Sequence, residues 1–209
     1  MNGSMTHDEA RRFLFLVGSA RKRGNTEQLA WRAAMALPDC AEQRWLHLMD
    51  VPLLPFTDVR HEGGAFPEPS GNERLLLEAT LGATDLVLAV PLYWYTVPAS
   101  AKLYFDYWTA WLRLAEFNFA ERMRGKTMWV VCTASSDDPA HAAPLLGMLR
   151  LSADYLGMQW GGALLGCGNR PGEVFDEAAT RASADAFFQN VVGARTRPSD
   201  AESSRPETA

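Results

Sequence analysis

The sequence predicts a doubly wound α/β domain built on a five-stranded parallel sheet. Segments with the apolar character of strands alternate with segments of helical periodicity along the chain. Two of the strand segments, 13–17 and 85–90, are almost entirely apolar, as in parallel sheets that helices cover on both faces. Because parallel strands need crossover connections, this alternation indicates right-handed βαβ units.

The elements can be placed in order along the chain. A first strand over 13–17 leads through a short polar loop into a helix over 26–37, which ends near Pro38. The next strand, 44–49, is mixed in polarity and therefore suits an edge of the sheet. The remaining predicted strands are 85–90, 126–132 and 158–165, and the remaining helices are 73–81, 97–119, 145–155 and 176–192.

Two segments depart from a plain alternation. The connection 50–70 is rich in Pro and Gly and long for a simple loop, which favours a functional or interface role. The helix over 97–119 carries aromatic and apolar side chains on more than one stripe of its surface. Either the core or a subunit interface could bury them. They are Tyr104, Phe105, Tyr107, Trp108, Trp111 and Leu112.

Composition is that of a soluble globular protein and argues against two classes of partner. The 209 residues suffice for one well-buried domain, and 47% of them are hydrophobic. No apolar run approaches the roughly 18 residues that a membrane span needs. The net charge of −5 argues against a nucleic-acid-binding protein, which would carry a basic face. We therefore expect a small-molecule partner, with neither nucleic acid nor membrane.

The two ends of the chain differ from its middle. We expect a flexible N-terminus over 1–10, a folded domain over 11–192 and a disordered tail over 193–209, because the tail has almost nothing apolar. The N-terminus has no apolar segment of the secretory type. The domain therefore occupies most of the chain.

Cysteine and histidine spacing predicts no metal site. Cys40, Cys132 and Cys167 lie far apart, without a C-x-x-C motif, which favours a reduced, cytoplasmic protein. The histidines at 47, 61 and 141 stand in separate segments without ligand spacing, so we interpret them as isolated polar residues.

The loop after the first strand, residues 18–26, has the composition of a phosphate site. It combines the hydroxyls of Ser19 and Thr26 with the guanidinium of Arg21, and a helix follows whose free N–H groups favour an anion. Asn25, with Gln28 three residues later, predicts a capping box. Neither a Walker motif nor a dinucleotide G-x-G-x-x-G is present, and an ordinary turn with solvated charges is the alternative.

Two further loops should meet the first one, because ligands of such sheets bind beyond the carboxyl ends of the strands. The second loop, 91–98, holds three adjacent aromatic residues between two prolines and suits a flat ring. The third loop, 133–138, is small and polar, although Asp138 before a proline could simply cap a short helix. Together the three loops predict a site for a planar ring on a phosphorylated tail. The glycine-rich run 166–172 resembles a dinucleotide-binding motif but has a different spacing and contains Pro171, so it is interpreted as a plain turn.

Two motifs at this separation resemble the NAD(P)H-dependent FMN reductase family of flavodoxin-like proteins. The resemblance extends over roughly the first 165 residues and includes the segment 52–56. The motifs are Gly18-Ser19-x-Arg21-x-x-Gly24-Asn25-Thr26 and Pro91-x-Tyr93-Trp94-x-x-x-Pro98-Ala99-x-x-Lys102-x-x-x-Asp106. Where many relatives carry Arg after this Asp, the chain has Tyr107.

The resemblance implies a flavodoxin-like sheet of order 2-1-3-4-5, an FMN cofactor, NAD(P)H as transient electron donor and a homodimer. It implies that Ser19, Arg21, Asn25 and Thr26 hold the FMN phosphate. The isoalloxazine would then lie between two groups of residues, which are Pro91, Leu92, Tyr93 and Trp94 on one side and Thr133, Ala134, Ser135 and Ser136 on the other.

The activity implied is transfer of hydride from NAD(P)H through FMN to a flavin, quinone or similar acceptor. The flavin itself carries this chemistry, so no side chain is singled out as a catalytic acid or base. Two alternatives stay open: a flavodoxin-type electron carrier without NAD(P)H activity, and a scaffold that binds no flavin. The basic run 21–23 weakly disfavours the carrier, whose loops are typically more acidic.

Overall fold

Five parallel strands form one sheet in the order β2-β1-β3-β4-β5. This computed structural model describes residues 10–61, 65–189 and 191. The predicted order and the edge position of β2 are both confirmed. The strands are β1 Arg12–Val17, β2 Glu42–His47, β3 Asp85–Pro91, β4 Thr127–Ala134 and β5 Gln159–Cys167.

Helices cover both faces of the sheet, as predicted. One hydrophobic cluster packs α2 to α5 against one face, and a second packs α1 and α6 against the other. The helices are α1 Asn25–Ala34, α2 Gly71–Gly82, α3 Ala99–Trp111, α4 Phe119–Met123, α5 Ala143–Tyr155 and α6 Ala178–Ala186.

The side chains of β1 explain why its sequence is uniformly apolar. Leu14 and Leu16 belong to the cluster beneath α2 to α5, whereas Phe13, Phe15 and Val17 belong to the cluster beneath α1 and α6. All five are essentially inaccessible to solvent. Since neither face of the strand meets water, alternation of polar and apolar residues is absent.

Three predicted helices are longer than the observed ones. The helix expected over 97–119 ends at Trp111, because Leu114 is extended and Asn118 adopts a left-handed conformation with φ 47°. A short 3-10 turn and α4 follow instead. Helix α1 ends at Ala34 and α6 at Ala186, short of the predicted 37 and 192. The expectations for residues 1–9 and 193–209 lie outside the described residues.

The aromatic residues of α3 are explained by the core. Tyr104 and Trp111 are fully buried and Trp108 is nearly so. The indole N–H of Trp111 donates to Glu73 Oε1 at 3.1 Å, and the hydroxyl of Tyr104 lies 2.7 Å from Thr80 Oγ1. Of the two explanations for this aromatic helix, burial within one chain is therefore the correct one for these three residues.

The long connection after β2 is attached to α3 over its described residues. The Tyr107 hydroxyl donates to the carbonyl of Leu54 at 3.1 Å, and its ring meets Phe56 edge-on with 5.4 Å between centroids. Phe56 in turn stacks with Phe66. Tyr107 thus holds this connection in place at the position where the resemblance would put an arginine.

A buried carboxylate ties the amino-terminal edge of the sheet together. Asp85 is completely buried and accepts hydrogen bonds from the guanidinium of Arg11, the hydroxyl of Thr84 and the indole N–H of Trp129. The Trp129 bond measures 2.8 Å. Thr84 is the neighbour of Asp85 in sequence, whereas Arg11 and Trp129 come from two other segments, so this one side chain links β3 to the chain before β1 and to β4.

We predict that Asp85→Ala lowers the free energy of unfolding by about 3–5 kcal/mol, because it leaves the partly buried Arg11 without its counter-charge. Denaturant unfolding of the wild type and the variant measures the difference. Asp58→Ala is the control, since it removes a carboxylate that pairs with Arg60 in a solvent-exposed position. An equal loss in both variants would contradict the role given to Asp85.

Candidate functional site

A cavity of about 240 Å³ opens at the carboxyl ends of β1, β3, β4 and β5. It brings together all of the predicted site residues except Trp94 and Ser136. Its lining is Ser19, Arg21, Gly24, Asn25, Thr26, Pro91, Leu92, Tyr93, Thr133, Ala134, Ser135, Gly168, Asn169 and Pro171.

The amino terminus of α1 lies at this cavity. The first bond of the helix joins Gln28 N to the carbonyl of Gly24 at 3.0 Å. The N–H groups of Asn25, Thr26 and Glu27 therefore precede the intrahelical pattern. Unpaired N–H groups and the positive end of the helix dipole together favour a bound anion.

Two buried hydroxyls hold the first loop in shape. Ser19 Oγ accepts a bond from the N–H of Arg21 at 3.1 Å and donates to the carbonyl of the same residue at 3.0 Å. Thr26 Oγ1 lies 2.5 Å from Thr133 Oγ1, which joins the start of α1 to the end of β4. Both hydroxyls thus position backbone at the wall of the cavity.

The three basic residues of the first loop have different surroundings. Lys22 Nζ lies 2.8 Å from Asp50 Oδ1, and it holds the pKa of that carboxyl below its usual range. The backbone N–H of Arg23 donates to Glu27, whose other neighbour is His47. Arg21 lines the cavity and, among the residues that the structure describes, forms no ion pair. Arg21 is therefore the basic side chain available to an anion there.

The capping-box prediction for Asn25 is wrong. Asn25 is the first residue of α1 rather than its cap, and its side chain bonds to the loop after β5. The amide nitrogen donates to the carbonyl of Arg170 at 2.9 Å, and Oδ1 accepts from the N–H of Gly172 at 2.8 Å. Gln28 bonds to the carbonyl of Arg23 instead. Asn25 thus fastens a fourth loop, residues 168–172, over the cavity.

Sequence reasoning missed this fourth loop, which it interpreted as a plain turn. Gly168, Asn169 and Pro171 all line the cavity. A Cβ on Gly168 would stand 2.7 Å from Val174 N and 2.8 Å from Asn25 Nδ2, so the close packing of the loop requires glycine. Its position after the last strand was the available signal, because ligands bind at the carboxyl ends of strands.

The aromatic turn of the second loop has an unusual backbone. Tyr93 and Thr96 exchange two backbone hydrogen bonds of 3.0 and 3.1 Å, and the residues between them, Trp94 and Tyr95, have φ of 50° and 64°. Positive φ is rare for bulky side chains, and turns of this kind usually contain Asn and Gly. The Trp94 side chain is 92% exposed and does not line the cavity, in contrast to Tyr93.

The third loop divides into two parts. Residues 133–135 line the cavity, whereas Ser136 accepts a bond from Asp138 N and lies 3.0 Å from His141 Nδ1. Asp138 caps the short 3-10 helix that follows, accepting from Ala140 N at 2.9 Å. The capping alternative is thus correct for Asp138, while Ser136 stands apart from the predicted cofactor side.

Comparison with known proteins identifies the family. The family model described as NADPH-dependent FMN reductase matches residues 11–164. The chain belongs to this family. Its members use FMN, so the expected cofactor and the expected nicotinamide donor are both confirmed, and the chain is an FMN-dependent oxidoreductase.

Individual relatives agree with this assignment. A Bacillus subtilis protein named as an NAD(P)H-dependent FMN-containing oxidoreductase, YwqN, is 29% identical over 158 residues, which cover 75% of this chain and 85% of YwqN. The structure of the Trp repressor binding protein from Bacillus subtilis is 24% identical, with a TM-score of 0.67, covering 84% of this chain and 97% of that one. An FMN-dependent NADH-azoreductase from Bacillus anthracis, solved with FMN, is 14% identical with a TM-score of 0.57, covering 87% and 99%. The two structures show that the fold is flavodoxin-like.

The residues of the cavity fit the FMN of this family. The α1 terminus suits a phosphate group, as does Arg21, which has no ion-pair partner among the described residues. The second loop contributes apolar and aromatic surface to the same cavity. One end of the cavity is therefore polar and cationic, and the other suits a ring.

We predict that Asn25→Ala frees the fourth loop. Loss of both side-chain bonds should speed amide exchange in residues 168–172 roughly five- to a hundredfold, because each bond contributes about 0.5–1.5 kcal/mol. Hydrogen–deuterium exchange with mass spectrometry measures it. Gln28→Ala, which removes a surface bond to Arg23, is the control and should leave this loop unchanged. Equal protection of this loop in all three proteins would contradict the role given to the Asn25 side chain.

Proposed function

We propose that the protein transfers hydride from NAD(P)H, through FMN, to a free flavin, a quinone or a similar planar acceptor. The observation that carries this proposal is the cavity itself, which joins an anion-binding helix terminus to an aromatic loop at the carboxyl edge of the sheet. The named activities of relatives, among them an NADPH-quinone reductase and azoreductases, are consistent with planar acceptors.

The phosphate of FMN would lie at the start of α1. Arg21 supplies the charged side chain, and the N–H groups of the first helical turn supply further donors. We assign Ser19 and Thr26 to shaping this loop and offering their hydroxyls at its wall. Asn25 contributes its backbone N–H, because its side chain is occupied by the fourth loop.

The flavin ring would lie between the second and third loops. The N–H of Leu92 is bonded to the carbonyl of Thr133 at 2.8 Å, and the N–H of Tyr93 to that of Thr96. The N–H groups of Leu92 and Tyr93 are thus already bonded, and the Tyr93 carbonyl accepts from Thr96 N, so Tyr93 would meet the ring through its side chain. Pro91 and Leu92 line the same side, and residues 133–135 would close the opposite side. When bound, FMN supplies the redox chemistry, and the protein orients it and shapes access.

The strained aromatic turn suits recognition of a planar acceptor. Left-handed backbone at a bulky residue costs of order 1–3 kcal/mol and is retained mainly at functional sites. Here it holds the Trp94 indole in solvent at the rim of the cavity, next to Tyr95, which packs edge-on against His141. We assign to Trp94 contact with the nicotinamide and the acceptor rather than a place beneath the cofactor.

The proposal includes a homodimer acting in the cytoplasm. Cys40, Cys132 and Cys167 are all free thiols, as expected in a reducing compartment. Within the described ranges, every helix is too short or too polar to cross a membrane.

We expect Arg21→Ala to weaken FMN binding roughly ten- to a hundredfold, because a charge-assisted bond to the phosphate contributes about 1.5–3 kcal/mol. Riboflavin, which has no phosphate, should bind the variant and the wild type alike. Fluorescence titration of the two flavins gives both dissociation constants. Lys22→Ala, whose ammonium pairs with Asp50, serves as the charge-matched control with little effect. If riboflavin loses as much affinity as FMN, Arg21 does not contact the phosphate.

Steady-state kinetics should be ping-pong. Within the described residues, the proposed flavin cavity offers one rim to both nicotinamide and acceptor, so the two should bind in turn. Initial rates against NAD(P)H at several quinone concentrations should give parallel lines, and anaerobic NAD(P)H alone should bleach the bound flavin by two electrons. Intersecting lines would require a separate nicotinamide site. Failure of both NADH and NADPH to bleach the flavin would replace this proposal with the electron carrier.

A further inference from the structure

The fourth loop, residues 168–172, forms the wall of the cavity beside the amino terminus of α1. Asn169 and Pro171 line the cavity. The side chain of Asn25, the first residue of α1, bonds to the carbonyl of Arg170 and to the N–H of Gly172. The loop therefore lies within the reach of one side chain from the N–H groups that favour an anion.

Two successive backbone N–H groups of this loop converge on one carboxylate oxygen. Glu173 Oε2 accepts from Asn169 N at 2.8 Å and from Arg170 N at 2.7 Å. The Arg170 bond, and after it the Asn169 bond, holds the pKa of the Glu173 carboxyl below its usual range, so this group is charged at neutral pH. Successive N–H groups that point at one oxygen form a nest, and nests bind anions such as phosphate. Here the chain's own carboxylate fills the nest.

The surrounding backbone keeps this carboxylate in place. Glu173 begins the 3-10 turn Glu173–Phe175, and a Cβ on Gly168 would stand only 2.7 Å from Val174 N, so the turn packs tightly on the loop. The negative charge is only weakly compensated. The guanidinium of Arg170 approaches the other carboxylate oxygen no closer than 3.8 Å, and its side chain is 87% exposed.

We propose that Glu173 makes the site selective for a flavin with one phosphate. Its carboxylate fills the nest beside the phosphate position, where the second phosphate of FAD would otherwise find two backbone donors. The filled nest offers that phosphate a like charge and no free donor. This assignment rests on the proposed function, because it takes the FMN phosphate to lie at the start of α1. Glu173 thereby determines specificity without taking part in the redox chemistry.

Exchange of bound flavin tests the selectivity. Full-length, FMN-loaded protein is equilibrated with increasing FAD and desalted, and the retained flavins are measured by chromatography. Relative to FMN, Glu173→Ala should retain FAD about tenfold better than the wild type, because two N–H groups become free for charge-assisted bonds to the second phosphate. Glu173→Gln keeps an oxygen in the nest and removes only the charge, so its gain should be about threefold.

Two control variants separate the filled nest from a looser loop and from a change of net charge. Asn25→Ala removes two other bonds of the fourth loop and leaves the nest filled, so the ratio of FAD to FMN should stay that of the wild type. Glu177→Ala removes a nearby exposed carboxylate that, among the described residues, forms neither an ion pair nor a side-chain hydrogen bond. Its ratio should also be unchanged. Circular dichroism verifies the fold of each variant.

The possible outcomes distinguish this proposal from the proposed function. A wild-type ratio in both Glu173 variants, equal gains in the two, or the same gain in Asn25→Ala overturns the role of the filled nest. A wild type that retains FAD as readily as FMN also overturns it. If Glu173→Ala does not fold, Glu173→Gln decides alone, and a wild-type ratio in that variant is the contrary result. Failure of the proposed function itself differs from all of these, because the wild type would then retain no flavin.

Discussion

The position at which α1 begins determines the site. Strand β1 is buried on both faces and ends at the carboxyl edge of the sheet, where α1 begins. The first three N–H groups of α1 precede its first intrahelical bond. An anion at this point satisfies those donors and the positive end of the helix. Arg21 lines the same cavity without an ion-pair partner within the described part of the chain, so the phosphate site that we propose is locally positive although the net charge is −5.

Side-chain bonds then connect the loops that surround this terminus. Thr26 reaches Thr133 at the end of β4, and Asn25 reaches the loop beyond β5. Two residues of one helical turn thus fix two neighbouring walls of the cavity. The second loop contributes a different kind of constraint, a strained backbone that keeps Trp94 exposed at the rim. In the function that we propose, cofactor binding and acceptor recognition therefore belong to different residues of the same edge.

Much of this arrangement could be predicted from the sequence, because it depends on local signals. The apolar run of β1 and the mixed polarity of β2 predicted a parallel sheet with β2 at an edge, and the composition of the first three loops predicted most of the cavity lining. The full strand order was implied by the resemblance to the reductase family. The side-chain bonds from Asn25 to the fourth loop could not be predicted, since its partners lie about 145 residues away in the sequence. An Asn that caps a helix would show the same local sequence pattern. The end of α3 was missed because Asn118 takes a left-handed conformation that tertiary packing selects. Nothing in the residue types of Trp94 and Tyr95 indicates positive φ, which glycine would have signalled.

The identity of the flavin released from the denatured protein shows whether the cavity holds FMN. Among the residues that the structure describes, the cavity offers one helix terminus and one arginine without an ion-pair partner, which suit a single phosphate. Protein purified without added flavin, or first incubated with a mixture of FMN, FAD and riboflavin and then desalted, is boiled, and the released flavin is identified by chromatography. We expect FMN in near-stoichiometric amount. Release of FAD or riboflavin instead, or no flavin even after incubation with FMN, would contradict this expectation.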